Sequence, residues 1–422
     1  MRVTSLKLAN LRAIEAAEFR FHPGFNLVVG VNGVGKTTIL DALAVCLSAF
    51  VRRANKLPRY EVQFDLGDIR EGAAALDVDC DIEGGAEKGR YGYTLHKTRE
   101  TIVPREGKAG LPREQVRDTP GRAEFVGSKP PAAIGDDPGG RPMAILFSPR
   151  RSIASERAPA KRVAEGGVNA AFSGALSNRR ELHLREFEAW MRVQEALTME
   201  RPAAKRVLAA FEAAVTRFLP DYRNPRLGGE SVTGSFLLID RGAATLPVEF
   251  LSDGERGLLA MVLDLTRRLS QANPEMEDPA AEAEAVVLID EIELHLHPAW
   301  QRRIVRNLTE TFPKCQFIAT THSPQVIGEV EHDRIQIIAD GQVYSPTHSF
   351  GVDSNRVLEE IMDADPRTQD VKELLSKISR KVGKQRYESA RELLAQLVDR
   401  LGEDDPEVSR IRTLLDFMAG DE

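Results

Sequence analysis

Alternating apolar and polar positions open the chain. VTSLKLANL reads as one strand, and EFRFHPGFNLVVG continues the pattern into an apolar run that stops at a glycine, so residues 1 to 30 are expected to be strands. From Thr37 the period changes: Ile39, Leu40, Leu43, Ala44 and Leu47 recur at helical spacing to about Phe50. Strand alternation returns between 60 and 100, where LDVDCDI and YGYTLHKT flank the turn EGGAEKG. Residues 104 to 142 are rich in Gly and Pro and hold no sustained period, which predicts a flexible, irregular insertion. MAILFS then reads as a buried strand ending at Pro149, Arg150 and Arg151. Residues 180 to 219 carry two apolar-striped helices, too short for a long coiled-coil arm.

Beyond Ser231 come the strand SFLLID, a helix from about Asp253 to Leu269 and the acidic connector QANPEMEDPAAEAEA. The strand AVVLID, a helix near Pro298 to Thr311, the strand CQFIAT and the helix PQVIGEV follow. This alternation predicts an α/β fold with a mixed, largely parallel sheet. From Thr368 onward the pattern is helical, in about three segments broken at Gly383 and around Gly402 to Pro406. The expected organisation is a head built from residues 1–103 and 231–345, the insertion 104–142, a strand and helical insertion over 143–230, and a helical C-terminal region over 346–422 for partner binding.

Composition narrows this only a little. With 422 residues, 42% hydrophobic and 29% charged, the chain has the balance of a soluble globular protein. The sequence holds no stretch of eighteen apolar residues and no signal-peptide core, so no membrane contact and a cytoplasmic location are expected. Cys46, Cys80 and Cys315 sit in separate contexts without metal-ligand spacing and read as buried apolar residues. A net charge of −7 argues against a chain that coats nucleic acid throughout, while leaving room for a local basic patch.

The sharpest chemical signal is Gly30-Val31-Asn32-Gly33-Val34-Gly35-Lys36-Thr37, which fits G-x-x-x-x-G-K-[ST] between an apolar strand and a helix. Glycines let successive backbone N–H groups curl around a phosphate, and the helix N-terminus adds partial positive charge. Lys36 can bridge the β and γ phosphates and Thr37 can ligate magnesium. A second signal is the strand AVVLI ending abruptly at Asp290-Glu291. Asp290 is placed to hold magnesium, and Glu291 to accept a proton from the water that attacks the γ phosphate. His295 and His297, an H-x-H pair without a third ligand, are not expected to bind metal.

Two further segments each admit two readings. In LSDGE, Ser252 and Glu255 form a capping box for the following helix, while Ser252 and Gly254 at an exposed helix N-terminus also suit a γ phosphate. In TTHS, His322 is either a satisfied structural residue or a sensor of that phosphate.

Taken in order, the phosphate loop, LSDGE, VVLIDE and TTHS resemble the ABC ATPase superfamily. LSDGE is similar to its signature motif, ELHLHP stands in the place of its D-loop, and His322 is similar to its switch histidine. The opening LKLANLRAIE and the phrase DEIELHLHPAWQ resemble the RecF, SMC and overcoming-lysogenization-defect group, and TTHSPQVIGEV with SFGVDSNRVLEEIMDADPR resembles the stand-alone ATPases of Septu and retron anti-phage systems. The resemblance implies ATP and Mg2+ as cofactors, with Gly30, Asn32, Gly33, Gly35, Lys36, Thr37 and Thr38 around the nucleotide and Arg12 near it. It further implies an ATP-sandwich homodimer in which Ser252 and Gly254 of one copy face Lys36 of the other. Thr37 and Asp290 would hold the metal, and Glu291, His322 and Lys36 would carry the chemistry. The family's glutamine-bearing Q-loop has no clear counterpart; MAILFSPRR stands at that position, with Arg150 or Arg151 in the role.

The functional expectation is an ATPase controlling a separately encoded effector nuclease, of HNH type, in phage defence, with no nuclease of its own. A RecF-like DNA-repair ATPase and a transporter ATPase subunit are the alternatives. The tail cluster Lys377, Arg380, Lys381, Lys384 and Arg386 reads either as a solvated helix face or as a contact to nucleic acid or an acidic partner. The helices of 180–219 read as a lid, a docking arm or dimer packing.

Overall fold

The computed structural model describes residues 1–57, 62–84, 89–102, 115–117, 121–126, 140–149, 167–178, 180, 182, 184–231, 234–339, 341–362, 365 and 367–419. They fall into two compact units, Met1–Val357 and Leu358–Glu422.

The first unit opens with the antiparallel pair β1 (Arg2–Leu11) and β2 (Ile14–Arg20), then β3 (Phe25–Gly30) and helix α1 (Lys36–Ala54). Next come β4 (Ala75–Gly84), β5 (Gly89–Thr98), β6 (Glu100–Ile102), β7 (Gln115–Arg117) and β8 (Arg122–Val126). β2, β1, β4, β5 and β8 form one antiparallel sheet in that order, and β6 pairs with β7. Within 104–142 only 115–117, 121–126 and 140–142 are described; there β7 and β8 are regular, Tyr93↔Phe125 and the neighbouring pairs adding β8 to the sheet edge, and the rest of the irregular reading lies outside the described residues. A five-residue edge strand that leaves most of its side chains in solvent has too few buried positions to show a period.

β9 (Met143–Phe147) is followed by α2 (Val168–Phe172), α3 (Leu184–Leu197) and α4 (Pro202–Phe218). Then come β10 (Tyr222–Ser231), β11 (Gly234–Arg241) and β12 (Ala244–Pro247), a three-stranded antiparallel sheet. The division expected at residue 231 thus falls inside a hairpin. β10, with RNPRLGGE, holds a Pro and two glycines that hide its strand character. α3 and α4 pack on each other and α4 lies against α5 (Asp253–Ala272), where Phe187, Trp190 and Phe211 stack within 5.8 Å of one another. The paired helices are thus part of the packing around α5.

The remaining elements are α6 (Pro279–Glu282), β13 (Ala285–Ile289), α7 (Pro298–Gln301), α8 (Ile304–Thr311), β14 (Gln316–Thr321), α9 (Pro324–Ile327), β15 (Ile335–Ala339), β16 (Gln342–Tyr344) and α10 (Ser354–Glu360). The central sheet runs β16-β15-β3-β14-β13-β9, parallel throughout except for β16. β9, β13 and β14 are buried at every residue, as parallel strands covered on both faces must be. α1 covers one face and reaches β3, β9, β13, β14 and β4, so it lies between the two large sheets, and fourteen of its nineteen residues are buried. Gln316 ties those sheets together: its side-chain oxygen accepts from the backbone N–H of Val3 at 2.7 Å and its amide donates to the carbonyl of Val3 at 2.8 Å.

The three cysteines are free and buried, but Cys46 on α1 and Cys80 on β4 are not separate as the sequence suggests. Their thiols interact across the sheet and helix boundary, an interaction that, with burial, raises the Cys80 pKa.

The second unit is built from α11 (Gln369–Gly383), α12 (Tyr387–Leu401) and α13 (Pro406–Ala419), with breaks where Gly383 and Gly402 predict them. It has its own core of Val371, Leu374, Ile378, Leu394, Leu397 and Ile411 together with Ala390, Val408 and Leu415. Its boundary at Leu358 lies beyond the expected 346, because α10 and the residues before it belong to the first unit as far as Val357.

Candidate functional site

Parallel strands bring their C-terminal ends to one edge, and here that edge collects most of the sequence motifs. β3 ends at Gly30, β13 at Ile289 and β14 at Thr321. The register Val29↔Thr321 sets His322 alongside Gly30, and Ile289↔Ala319 sets Asp290 beside Thr320.

The loop from Gly30 to Thr37 turns through two left-handed glycines, Gly33 at φ 87° and Gly35 at φ 101°. Both are conformations that favour glycine. A side chain at Gly30 would meet the carbonyl oxygen of Ile338 at 2.7 Å, so the loop lies tightly on β15. α1 starts at Lys36 with no side-chain cap on its N-terminus and no acidic residue in its first turn. Its leading N–H groups are thus left to an external acceptor or water, the arrangement that suits an anion. Lys36 is buried and donates to the carbonyls of Gly30 and Val31 at 2.8 and 2.9 Å. Burial lowers its pKa, against the opposing pull of Asp290, Glu291 and Glu293.

Thr37 Oγ1 donates to Asp290 Oδ2 at 2.8 Å, so the two expected metal ligands meet across 253 residues of sequence. Thr320, fully buried, donates to Asp290 Oδ1 at 2.5 Å and accepts from the backbone N–H of Glu291 at 2.8 Å. Glu291 holds a left-handed backbone, φ 49°, a conformation uncommon outside glycine. Glu293 accepts from Thr321 Oγ1 at 2.7 Å and from the backbone N–H of His322 at 2.6 Å, fixing where the imidazole starts. The His322 pKa is lowered, first by burial and then by the Lys36 ammonium. Neither Thr320 nor Glu293 was marked as functional by the sequence; the only cue was a hydroxyl or carboxylate adjoining residues that were.

Arg12 sits at the entrance of α1. Its guanidinium donates to Asp68 at 2.8 Å and Asp41 at 2.6 Å, and reaches Thr38 Oγ1 at 3.5 Å. Burial works against its charge, but the bonds to Asp68 and Asp41 outweigh that and raise its pKa. Arg150 and Arg151 lie outside the described residues.

Ser252 and Gly254 lie at the start of α5. Ser252 is the N-cap of α5, and Glu255 completes the capping box by accepting from the Ser252 backbone N–H at 3.1 Å. Glu255 is in turn held by the Tyr222 hydroxyl at 2.7 Å. The capping box is formed, with the Ser252 hydroxyl donating to Glu255 at 2.7 Å; Ser252 and Asp253 are exposed, whereas Gly254 is buried. Gly254 has no room for a side chain: a Cβ would overlap the carbonyl oxygen of His295, itself in a left-handed conformation at φ 61°. A small cleft between α5 and Ile292–Leu296 is lined by Gly254, Gly257, Met261 and Leu294. His297 caps α7, its Nδ1 accepting from the Ala299 N–H at 3.2 Å.

Chemically, the sheet end presents uncapped N–H donors, a buried ammonium, and a hydroxyl and carboxylate pair of the hard-oxygen type that suits Mg2+. Further carboxylates and an imidazole stand beside them. No described helix is long and apolar enough to cross a membrane.

A relative from Escherichia coli, "Retron Ec83 probable ATPase", is 27% identical over an alignment covering 96% of this chain and 85% of the relative. "Septu protein PtuA" of Bacillus thuringiensis is 23% identical, covering 86% of this chain and 84% of that protein. Among solved structures, the SMC head domain from Thermotoga maritima aligns with 82% of this chain and 98% of its own at 16% identity and a TM-score of 0.43. Residues 25–328, which hold the phosphate loop, LSDGE, the acidic pair and TTHS, match the model described as "AAA domain, putative AbiEii toxin, Type IV TA system", and the chain belongs to that family.

Proposed function

We propose that this protein binds and hydrolyses ATP with Mg2+, closes around it as a homodimer, and thereby governs a separately encoded effector nuclease in anti-phage defence. The observation that carries the ATPase reading is the meeting of Lys36, Thr37, Asp290 and Thr320 at one end of the parallel sheet. The loop N–H groups and Lys36 would take the β and γ phosphates, with Asn32, Gly33, Gly35 and Thr38 around them. Thr37 and Asp290 would hold Mg2+, which supplies charge neutralisation between the phosphates. Glu291, kept in place by Thr320, accepts the proton of the attacking water; His322 orients that water or the γ phosphate.

The homodimer reading rests on Ser252 and Gly254, which form the start of α5 with Ser252 exposed and Gly254 packed against His295. Supplied by a second copy, that start completes an anion site on the far side of the nucleotide. The defence role and the effector rest on the names of the retron and Septu relatives and on the resemblance of the motifs.

Calorimetry with Mg-ATP tests the first step: the wild type binds, and Lys36→Ala loses binding by at least about tenfold, the scale of one charge-assisted contact. Glu291→Gln keeps binding, loses turnover and accumulates as a dimer in light scattering with ATP. Absence of ATP binding by the wild type, or equal hydrolysis by Glu291→Gln, refutes the reading.

A further inference from the structure

A second, strongly one-sided charge lies in the C-terminal unit. From Leu374 to Tyr387 the chain carries Lys377, Arg380, Lys381, Lys384 and Arg386 and no carboxylate. The first four stand at i, i+3, i+4 and i+7, a single face running along the end of α11 for about 10 Å. Arg386 follows in the turn before α12. The positions that point inward from α11, Val371, Leu374 and Ile378, are buried in the unit's core, so the basic face is turned away from it.

Among the described residues none of these five cations is in an ion pair; Arg380 Nε donates to the Ser376 carbonyl at 3.2 Å within α11. The ion pairs among the unit's described residues lie elsewhere: Arg391 with Glu388 and Asp416, Arg400 with Asp370, Arg367 with Asp405, Lys372 with Asp365, and Arg410 with Glu407. The carboxylates Glu403, Asp404 and Asp405 collect in the loop between α12 and α13, at the opposite end of the hairpin. The C-terminal dipole of α11 offers roughly half a negative charge, enough for one neighbour and not for five. Spacings of three and four also bring like charges together along α11, which repel unless an outside anion screens them.

We propose that this tip of the α11–α12 hairpin is a binding site for the phosphodiester backbone of a nucleic acid. Duplex DNA carries one charge per roughly 1.7 Å of axis, so a stripe of about 10 Å faces about six phosphate charges. Among the described residues no exposed aromatic ring stands at the tip: Tyr387 packs against the helical core. Recognition is therefore of phosphates and independent of sequence, without stacked bases. An acidic protein surface fits less well, because between Ser376 and Arg386 only the buried Ile378 and the half-buried Val382 are apolar and no anchor for a protein hot spot is exposed. The inference stands apart from the ATPase reading and is tested without nucleotide.

The experiment uses the full chain and fluorescence anisotropy with labelled duplex DNA, single-stranded DNA and single-stranded RNA of one mixed sequence of about 30 nucleotides, between about 50 and 200 mM salt. With four to five phosphates neutralised, wild-type affinity falls roughly 10²-fold across that range. The combined Lys377→Gln, Arg380→Gln, Lys381→Gln and Lys384→Gln variant makes the slope of log affinity against log salt shallower by about three to four, and each single change does so by about one. Arg302→Gln with Arg303→Gln, exposed cations on the other unit, leaves the slope unchanged. The three probes decide between duplex and single strand, DNA and RNA. Equal slopes in wild type and the fourfold variant overturn the proposal, as does the absence of binding to all three probes. Loss of an acidic protein partner, with nucleic-acid affinity intact, overturns it in favour of a protein interface.

Discussion

Thr320→Val removes one hydroxyl while conserving shape, and its consequences are calculable. The hydroxyl is fully buried, donates to Asp290 Oδ1 at 2.5 Å and accepts from the Glu291 N–H at 2.8 Å. Losing a hydrogen bond to a charged group costs about 1.5–3 kcal/mol, and leaving a donor without its acceptor can add about 1 kcal/mol or more. We take about 3 kcal/mol. At about 2.1 cal/mol/K per residue over the 357 residues of the first unit, the unfolding entropy is about 0.75 kcal/mol/K, so the midpoint falls by about 4 °C. With Glu291 in the role proposed for it, catalysis should respond more strongly, because that residue sits in an uncommon left-handed conformation whose N–H this hydroxyl holds. A misplacement near 1 Å costs roughly 10²-fold in rate. We expect kcat to fall by about one to two powers of ten with KM for ATP little changed, and Thr320→Ser to restore both rate and midpoint. Differential scanning calorimetry and steady-state phosphate release are the assays. Wild-type kcat and an unshifted transition in Thr320→Val would show that the hydroxyl neither steadies Asp290 nor places Glu291.

Gly254→Ala drives a Cβ into the backbone carbonyl of His295, which cannot step aside as a side-chain tip could. Overpacking of this kind costs about 1–3 kcal/mol, and we expect a lowered thermal midpoint together with ATP turnover reduced at least about tenfold; an unaltered variant would mean that α5 and the Ile292–Leu296 segment move freely apart. The His322 pKa is lowered in the fold by burial and by Lys36. The unfolded chain thus binds the extra proton first, so stability is full above the ordinary histidine value of 6.5 and declines as pH drops below it. His322→Gln should flatten that acid-side decline in urea midpoints, and an identical pH profile would refute the assignment. Asp264 on α5 is buried among Arg180, Arg267 and Arg268. Burial pushes its carboxyl up, but the three guanidiniums outweigh this and hold it well below the usual range. Asp264→Asn leaves those cations without their counter-charge and should cost about 3–5 kcal/mol, read as a fall in chemical-denaturation midpoint; a shift under about 1 kcal/mol would indicate that water already compensates them.

Local physics made much of this protein legible before any fold was known. Apolar runs without alternation identified β3, β9, β13 and β14 as buried strands, because strands covered on both faces need no polar positions. Gly33, Gly35, Lys36 and Thr37 were readable because a phosphate cradle needs left-handed glycines followed directly by a helix start. Helix ends at Gly383 and Gly402 were likewise written in single residues. β8 and β10 were hidden, one by its short exposed edge and the other by a proline and paired glycines, since their stability comes from partners far along the chain. The site shows the same division. Asp290 and Glu291 announce themselves at the end of an apolar strand, but Thr320 as their support, Glu293 as the anchor of His322, and the dependence of Gly254 on His295 arise only from strand register and loop packing. Spacing along the chain carries propensity and period; contacts between residues tens to hundreds of positions apart are decided when strands pair, and no local pattern encodes which neighbour a buried hydroxyl or carboxylate will meet.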